Sequence, residues 1–139
     1  MTTTEVRPTW SIAEAAEATG LTPHTLRYYE RDGLLLDAVE RASSGHRRYT
    51  EADLGWLILL GRLRATGMPI REIREYAALV RQGGGTEQAR LTMLQEHRAK
   101  VLAELAEVQD HLAAIEGKIA IYAGRVAAGV PVPEDAPAR

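Results

Sequence analysis

The stretch from Leu21 to Tyr49, LTPHTLRYYERDGLLLDAVERASSGHRRY, decides the fold. Thr22 offers a hydroxyl to cap a helix, and Pro23 suits the first helical position, where a missing N–H costs nothing. A helix is therefore expected from Pro23 through Arg27, Tyr28 and Tyr29 to about Asp32, with Gly33 ending it in a left-handed turn. Leu34 to Leu36 should leave that turn extended. Ser43-Ser44-Gly45 then reads as a turn, and His46-Arg47-Arg48-Tyr49 suits an exposed strand or hairpin arm. A short helix with polar, aromatic and basic side chains near its start, followed by a basic hairpin, has the parts of a winged helix-turn-helix. In that arrangement the helix enters the major groove of DNA and the wing reaches phosphate.

Upstream, Ser11 and Glu14 have the spacing of a capping box, and Ile12, Ala15, Ala16 and a closing Gly20 mark a short helix that packs on the next one. Ser11 is open to two readings, a cap alone or, with the amides at that helix start, a receiver of backbone phosphate. Downstream, Thr50 to Asp53 repeats the capping spacing. It opens a helix carrying Leu54, Trp56, Leu57, Ile58, Leu59, Leu60 and Leu63, apolar over so much of its circumference that it should be largely buried. Trp56 reads as a core or interface aromatic in preference to a ligand platform. Thr66-Gly67-Met68-Pro69 breaks that helix, and Pro69 starts a fourth with Ile70, Ile73, Tyr76, Ala77 and Val80 on one stripe and Arg71, Arg74 and Arg81 mostly off it. Arg62, Arg64 and Arg71 are either flanking phosphate contacts or ordinary solvated charges. Gly83-Gly84-Gly85 costs too much entropy to sit inside a helix and marks a boundary.

Beyond the glycines the apolar residues settle into a heptad. Leu91, Leu105, Leu112, Ile119 and Val126 fall at one core position and Leu94, Val101, Val108, Ile115 and Tyr122 at the other, with Arg98 interrupting the seam. The repeat implies a helix of about 40 residues, roughly 60 Å long. So narrow a stripe needs a second long helix, and the nearest source is another copy of the chain, which gives a two-fold dimer held by a coiled coil. The pattern alone does not settle strand direction. His97 and His111 read as solvated flanks without metal-pair spacing, and Gly117 and Gly124 should let the helix end fray.

Cysteine is absent, which excludes disulfides and thiolate metal sites. Met1 to Pro8 has no apolar signal core, and no run approaches the roughly 18 apolar residues of a membrane span, so a cytoplasmic protein without membrane contact is expected. The net charge is −2, which argues against a broad basic surface. The charges balance up to Gln82, however, and Arg41, Arg47 and Arg48 cluster beside His46. No nucleophile with a base, no carboxylate cluster and no strand-linked phosphate loop points to an enzyme or a cofactor.

Leu26-Arg27-Tyr28-Tyr29-Glu30, Gly33-Leu34-Leu35, and then Arg41, Gly45, Arg47 and Tyr49 resemble the signature of MerR-type transcription regulators. Asp37-Ala38 stands where that family usually has a proline, and His46 replaces the common aromatic before the wing arginine. The resemblance implies an all-α fold with a small β wing, a winged helix-turn-helix followed by a long antiparallel coiled-coil dimerisation helix. The expected division is a disordered N-terminus over 1–8, the DNA-binding domain with its second helix pair over 9–82, the dimerisation helix over 83–127 and an irregular tail over 128–139. The implied partners are double-stranded promoter DNA, a second copy and RNA polymerase, the DNA being distorted so that polymerase engages both promoter elements. These residues leave no room for a separate effector domain, and any small-molecule effector stays unidentified. The expected DNA contacts are Ser11, Thr22, His24, Thr25, Arg27 and Tyr28 with the wing residues Arg47, Arg48 and Tyr49, while Leu26 is core and one of Tyr28 and Tyr29 should face inward. The expected dimer interface is Leu91, Leu94, Val101, Leu105, Val108, Leu112, Ile115, Ile119 and Tyr122. The alternative is a coiled-coil architectural or protein-interaction module that binds DNA with little sequence choice.

Overall fold

The computed structural model describes residues 8–37 and 40–131. Their regular structure runs α1 (Ile12–Thr19), α2 (Pro23–Arg31), β1 (Glu40–Arg41), β2 (Arg47–Arg48), α3 (Glu51–Ala65), α4 (Ile70–Gln82) and α5 (Glu87–Ala128). The expected all-α architecture with a small wing is therefore present. Residues 1–7, 38–39 and 132–139, on which the expected terminal disorder and the Ala38 departure fall, lie outside the described residues.

Local chemistry sets the helix starts. The Ser11 hydroxyl accepts the Glu14 amide at 3.2 Å while the Glu14 carboxylate accepts the Ser11 amide at 3.0 Å, and these bonds hold the Glu14 carboxyl below its usual range. Thr22 caps α2 by accepting the Thr25 amide at 3.1 Å. Thr50 and Asp53 form the same reciprocal pair at the start of α3, at 3.2 and 2.9 Å. Replacing Thr50 by alanine leaves the Asp53 amide without this acceptor and is expected to cost about 1 kcal/mol. A far-ultraviolet melt should then shift down by about 5 °C, and an unchanged melt would show the cap to be idle. Pro69 takes the N-cap of α4, one residue earlier than the expected first helical position.

Contacts divide the chain into two compact units, the first ending at His97 and the second starting at Arg98. In the first unit α1 packs on α2 and α3, and α3 on α4. Leu26, Leu34, Tyr49, Leu57, Leu60, Met68 and Ile73 are fully buried among them. Leu21, in the turn between α1 and α2, lies so close to α3 that a Cβ on Gly61 would sit 3.2 Å from its Cδ2. Trp56 is core, as its leucine-rich setting suggested. It stacks on Tyr76 with centroids 5.7 Å apart, and its indole N–H donates to the Leu34 carbonyl at 2.8 Å.

The triglycine does not end the first unit. Gly83 and Gly85 take positive φ values of 80° and 93°, turning a corner that the Thr86 hydroxyl fastens at 2.8 Å from the Leu79 and Gly83 carbonyls. Met93 and Leu94 then pack against the core. His97, expected in solvent, is buried instead, with Nε2 2.8 Å from the Thr66 hydroxyl. That hydroxyl donates to the Arg62 carbonyl at 2.7 Å, so its oxygen accepts the imidazole N–H.

α5 is continuous over 42 residues, about 63 Å. Gly117 and Gly124 do not fray it. Gly129, at φ 69°, stops it, with bonds from Gly129 and Val130 amides back to Val126 and Arg125. In the second unit Leu105, Val108, Leu112, Ile115, Ile119, Tyr122 and Val126 are all exposed.

Candidate nucleic-acid interface

α2 sorts its residues by helical phase. Leu26 and Tyr29 turn into the core, while Thr22, His24 and Arg27 are exposed and Thr25 and Tyr28 half-buried. The inward tyrosine is thus Tyr29, and burial pushes its phenol pKa up. The Tyr28 ring stays at the surface edge, 6.0 Å from Tyr29 and with the Arg31 guanidinium 5.9 Å from its centre. The Thr22 hydroxyl donates to that of Thr25 at 3.0 Å. One short polar face at the start of α2 therefore collects Thr22, His24, Thr25 and Arg27. Those are hydrogen-bonding and cationic groups of the kinds that read base edges or hold nearby phosphate.

Gly33, at φ 71°, ends α2 as its sequence position suggested, and lets the Leu34 amide reach back to the Tyr29 carbonyl at 2.9 Å. Long-range arginines hold this end, and no local pattern announced them. Arg74 of α4 binds the Asp32 carboxylate, which raises the Arg74 pKa. Arg81 donates to the Gly33 carbonyl and, at 3.3 Å, to that of Leu35. Arg62, Arg64 and Arg71 are exposed, and Arg64 donates to the Met68 carbonyl at 3.2 Å.

The wing is the antiparallel pair β1 and β2, with Glu40 opposite Arg48 and Arg41 opposite Arg47. Its turn closes through Ala42 and His46, at 2.8 Å from amide to carbonyl. Arg41 donates to the Gly45 carbonyl at 3.1 Å and reaches Glu30 of α2 at 3.4 Å. Arg47 donates to the other oxygen of the same carboxylate. Arg48 binds the hydroxyl and carbonyl of Thr9, each at 3.0 Å. The wing thus lies beside the last turn of α2.

Tyr49 corrects the sequence expectation. It is fully buried, bridged through its backbone to Trp10 at 2.8 Å in both directions. Burial raises its phenol pKa, and among the described residues the hydroxyl has no hydrogen-bond partner. Its side chain belongs to the core beneath the wing, so it offers nothing to phosphate. The alternation of a strand turns the residue after Arg48 inward. Ser11 serves as a cap. Among the expected interface residues, Leu91 is exposed, Val101 half-buried, and Leu94 half-buried against the core of its own chain.

Among the described residues, no group of three or more His, Asp or Glu side chains is placed to hold a metal, and no helix is long and apolar enough to cross a membrane. A polar helix face set in a two-helix unit, with a basic hairpin beside it, defines a winged helix-turn-helix of the DNA-binding class.

The comparisons narrow this class. The chain belongs to the MerR family: the model of MerR HTH family regulatory proteins matches residues 10–79 and that of the MerR DNA-binding region matches 54–118. It is accordingly a DNA-binding transcription regulator. It is 38% identical over 114 residues to an uncharacterized HTH-type transcriptional regulator of Haemophilus influenzae, covering 82% of this chain and 84% of that one. It is 39% identical over 92 residues to the HTH-type transcriptional regulator AdhR of Bacillus subtilis, covering 66% and 65%. The solved structure of HiNmlR, a MerR family regulator lacking the sensor domain and bound to promoter DNA, is similar with a TM-score of 0.82, 35% identity and coverage of 91% and 98%. A MerR family transcriptional regulator from Listeria monocytogenes is similar at 0.77, with 32% identity and coverage of 86% and 90%.

Proposed function

We propose that two copies of this chain bind a palindromic promoter element, read it with α2 and the wing, and distort it so that RNA polymerase engages both promoter elements. The observation that carries the reading is the polar face of Thr22, His24, Thr25 and Arg27 on a helix whose last turn holds the basic wing through Glu30. His24, Thr25 and Arg27 reach base edges or nearby phosphate, and Tyr28 with the wing arginines holds the backbone. Promoter DNA in the similar HiNmlR structure supports the ligand class.

The second copy follows from α5. From Leu105 to Val126 its heptad residues are exposed in the single chain, and an apolar stripe of this length is stable in water only when covered. The antiparallel direction is the one the family resemblance implies, and it also keeps the two Arg98 side chains from facing each other in the seam. A two-fold axis across such a rod relates the two reading helices and calls for a palindromic site. Bending the duplex costs about 1 to 6 kcal/mol for smooth bends, supplied by the protein contacts.

The test is binding to a duplex that the protein selects from a random-sequence pool. Replacing Arg47 and Arg48 together by alanine should weaken binding about thirtyfold and lower the slope of log affinity against log salt by about two. Unchanged affinity and slope would remove the wing from the interface. Binding that fails to survive excess random duplex would instead favour a low-specificity architectural role.

A further inference from the structure

We infer that Glu30 is a specificity-determining residue, whose carboxylate masks the wing arginines so that they engage DNA only where α2 has placed a phosphate within their reach. This rests on the reading that Arg47 contacts the DNA backbone. Glu30 stands on the last turn of α2, and its two oxygens face different wing strands: one lies 3.4 Å from Arg41 of β1, the other accepts from Nε of Arg47 of β2. The Glu30 and Arg47 side chains are only 21% and 29% exposed, so salt screens this pair weakly, whereas Arg41 is 50% exposed. Arg48, the next residue, instead donates to the uncharged oxygens of Thr9. One carboxylate therefore selectively offsets the two arginines on the turn side of the wing.

This placement penalises contacts made out of register. A phosphate that approaches the wing before α2 is seated meets a carboxylate as well as a guanidinium, and it must break the pair to take Arg47. On the correct site α2 is docked first in the groove, and its own contacts fix the phosphate beside Arg47. Glu30 then stays within one side chain of both arginines and the fork is shared. The same carboxylate lines a cleft with Leu35, Leu36, Asp37, Arg41 and Arg81, through which a phosphate can approach Arg41. Discrimination is a difference between two affinities, and a repulsive group that weakens the wrong complex more than the right one raises it. The balanced charge of the chain up to Gln82 fits such a device, because non-specific affinity comes mainly from unmasked cations.

The experiment compares Glu30→Gln with the parent chain on two labelled duplexes, the selected operator and a random sequence, across a salt series. Glutamine keeps the shape and an acceptor for Arg47 but removes the charge. Random-duplex affinity at low salt should rise about fivefold and its salt slope should steepen by about one. Operator affinity should change less than about threefold, so that the ratio between the two falls. Adding Arg47→Gln to Glu30→Gln should return the slope to the parent value or below it. A random-duplex affinity and slope unchanged by Glu30→Gln would overturn the inference. So would a parallel loss on both duplexes, which would make the carboxylate a brace for the wing and nothing more. Should a melt show Glu30→Gln to be unfolded, Glu30→Asp replaces it: charge held at shorter reach should steepen the random-duplex slope over the parent's by less than about one, and a slope equal to the parent's would overturn the inference. If the double wing variant leaves operator binding intact, the reading underneath fails. If that variant weakens binding while Glu30→Gln is silent, only the masking role does.

Discussion

Leu112→Lys should convert the protein to a monomer at micromolar concentration and lower its operator affinity at least a hundredfold. Leu112 lies in the middle of the seam and is half exposed in the single chain. In a two-fold rod the change occurs twice, and each copy loses a buried leucine and gains a charge in an apolar layer. A buried leucine contributes about 2 kcal/mol, and an unpaired charge placed in such a layer costs more than that. The two leucines alone remove about 4 kcal/mol, close to a thousandfold in the dimer dissociation constant, and the two charges add to that. The first unit should be untouched, because it ends at His97. Sedimentation equilibrium and a melt of the first unit read the two effects separately. A Leu112→Lys chain that stays dimeric and binds the operator normally would place the interface elsewhere.

Trp56→Ala should cost about 3 to 5 kcal/mol, a large part of the roughly 5 to 15 kcal/mol that holds a domain of this size. Three effects converge on that ring. It loses its stack with Tyr76, leaves a cavity between α3 and α4, and strips the buried Leu34 carbonyl of its 2.8 Å donor. Leu34 follows directly on the turn that ends α2, so the loss also loosens the helix proposed to enter the groove. Chemical denaturation should show a lower midpoint with a broadened transition. Trp56→Phe keeps most of the packing and removes only the hydrogen bond, and should cost about 1 to 2 kcal/mol. Equal losses in the two variants would show that packing against Tyr76 contributes little.

Features that depend on neighbours in sequence were legible. The caps at Ser11, Thr22 and Thr50 each bond a residue three positions on. The Gly33 turn and the heptad of α5 are likewise written locally. What escaped notice joins distant parts of the chain. Glu30 and Arg47 are 17 residues apart, Thr66 and His97 31, Asp32 and Arg74 42, and Gly33 and Arg81 48. An arginine off an apolar stripe looks the same whether it is solvated or holds a helix end. The burial of Tyr49 is not legible in sequence, because a strand of two residues is too short to show alternation and the basic residues before it point to the surface. The glycine run signalled a domain boundary for a similar reason. Composition reports a corner, but only packing shows that Met93, Leu94 and His97 beyond it return to the same core.

The central claim is that two chains, joined through α5, seat their α2 helices and wings on one duplex. Sedimentation velocity of the unmodified chain with a fluorescent operator, in the presence of excess unlabelled random duplex, tests it most directly. The account predicts a single complex of two chains per duplex that persists under competition. One chain per duplex, or label released by the random competitor, would contradict it.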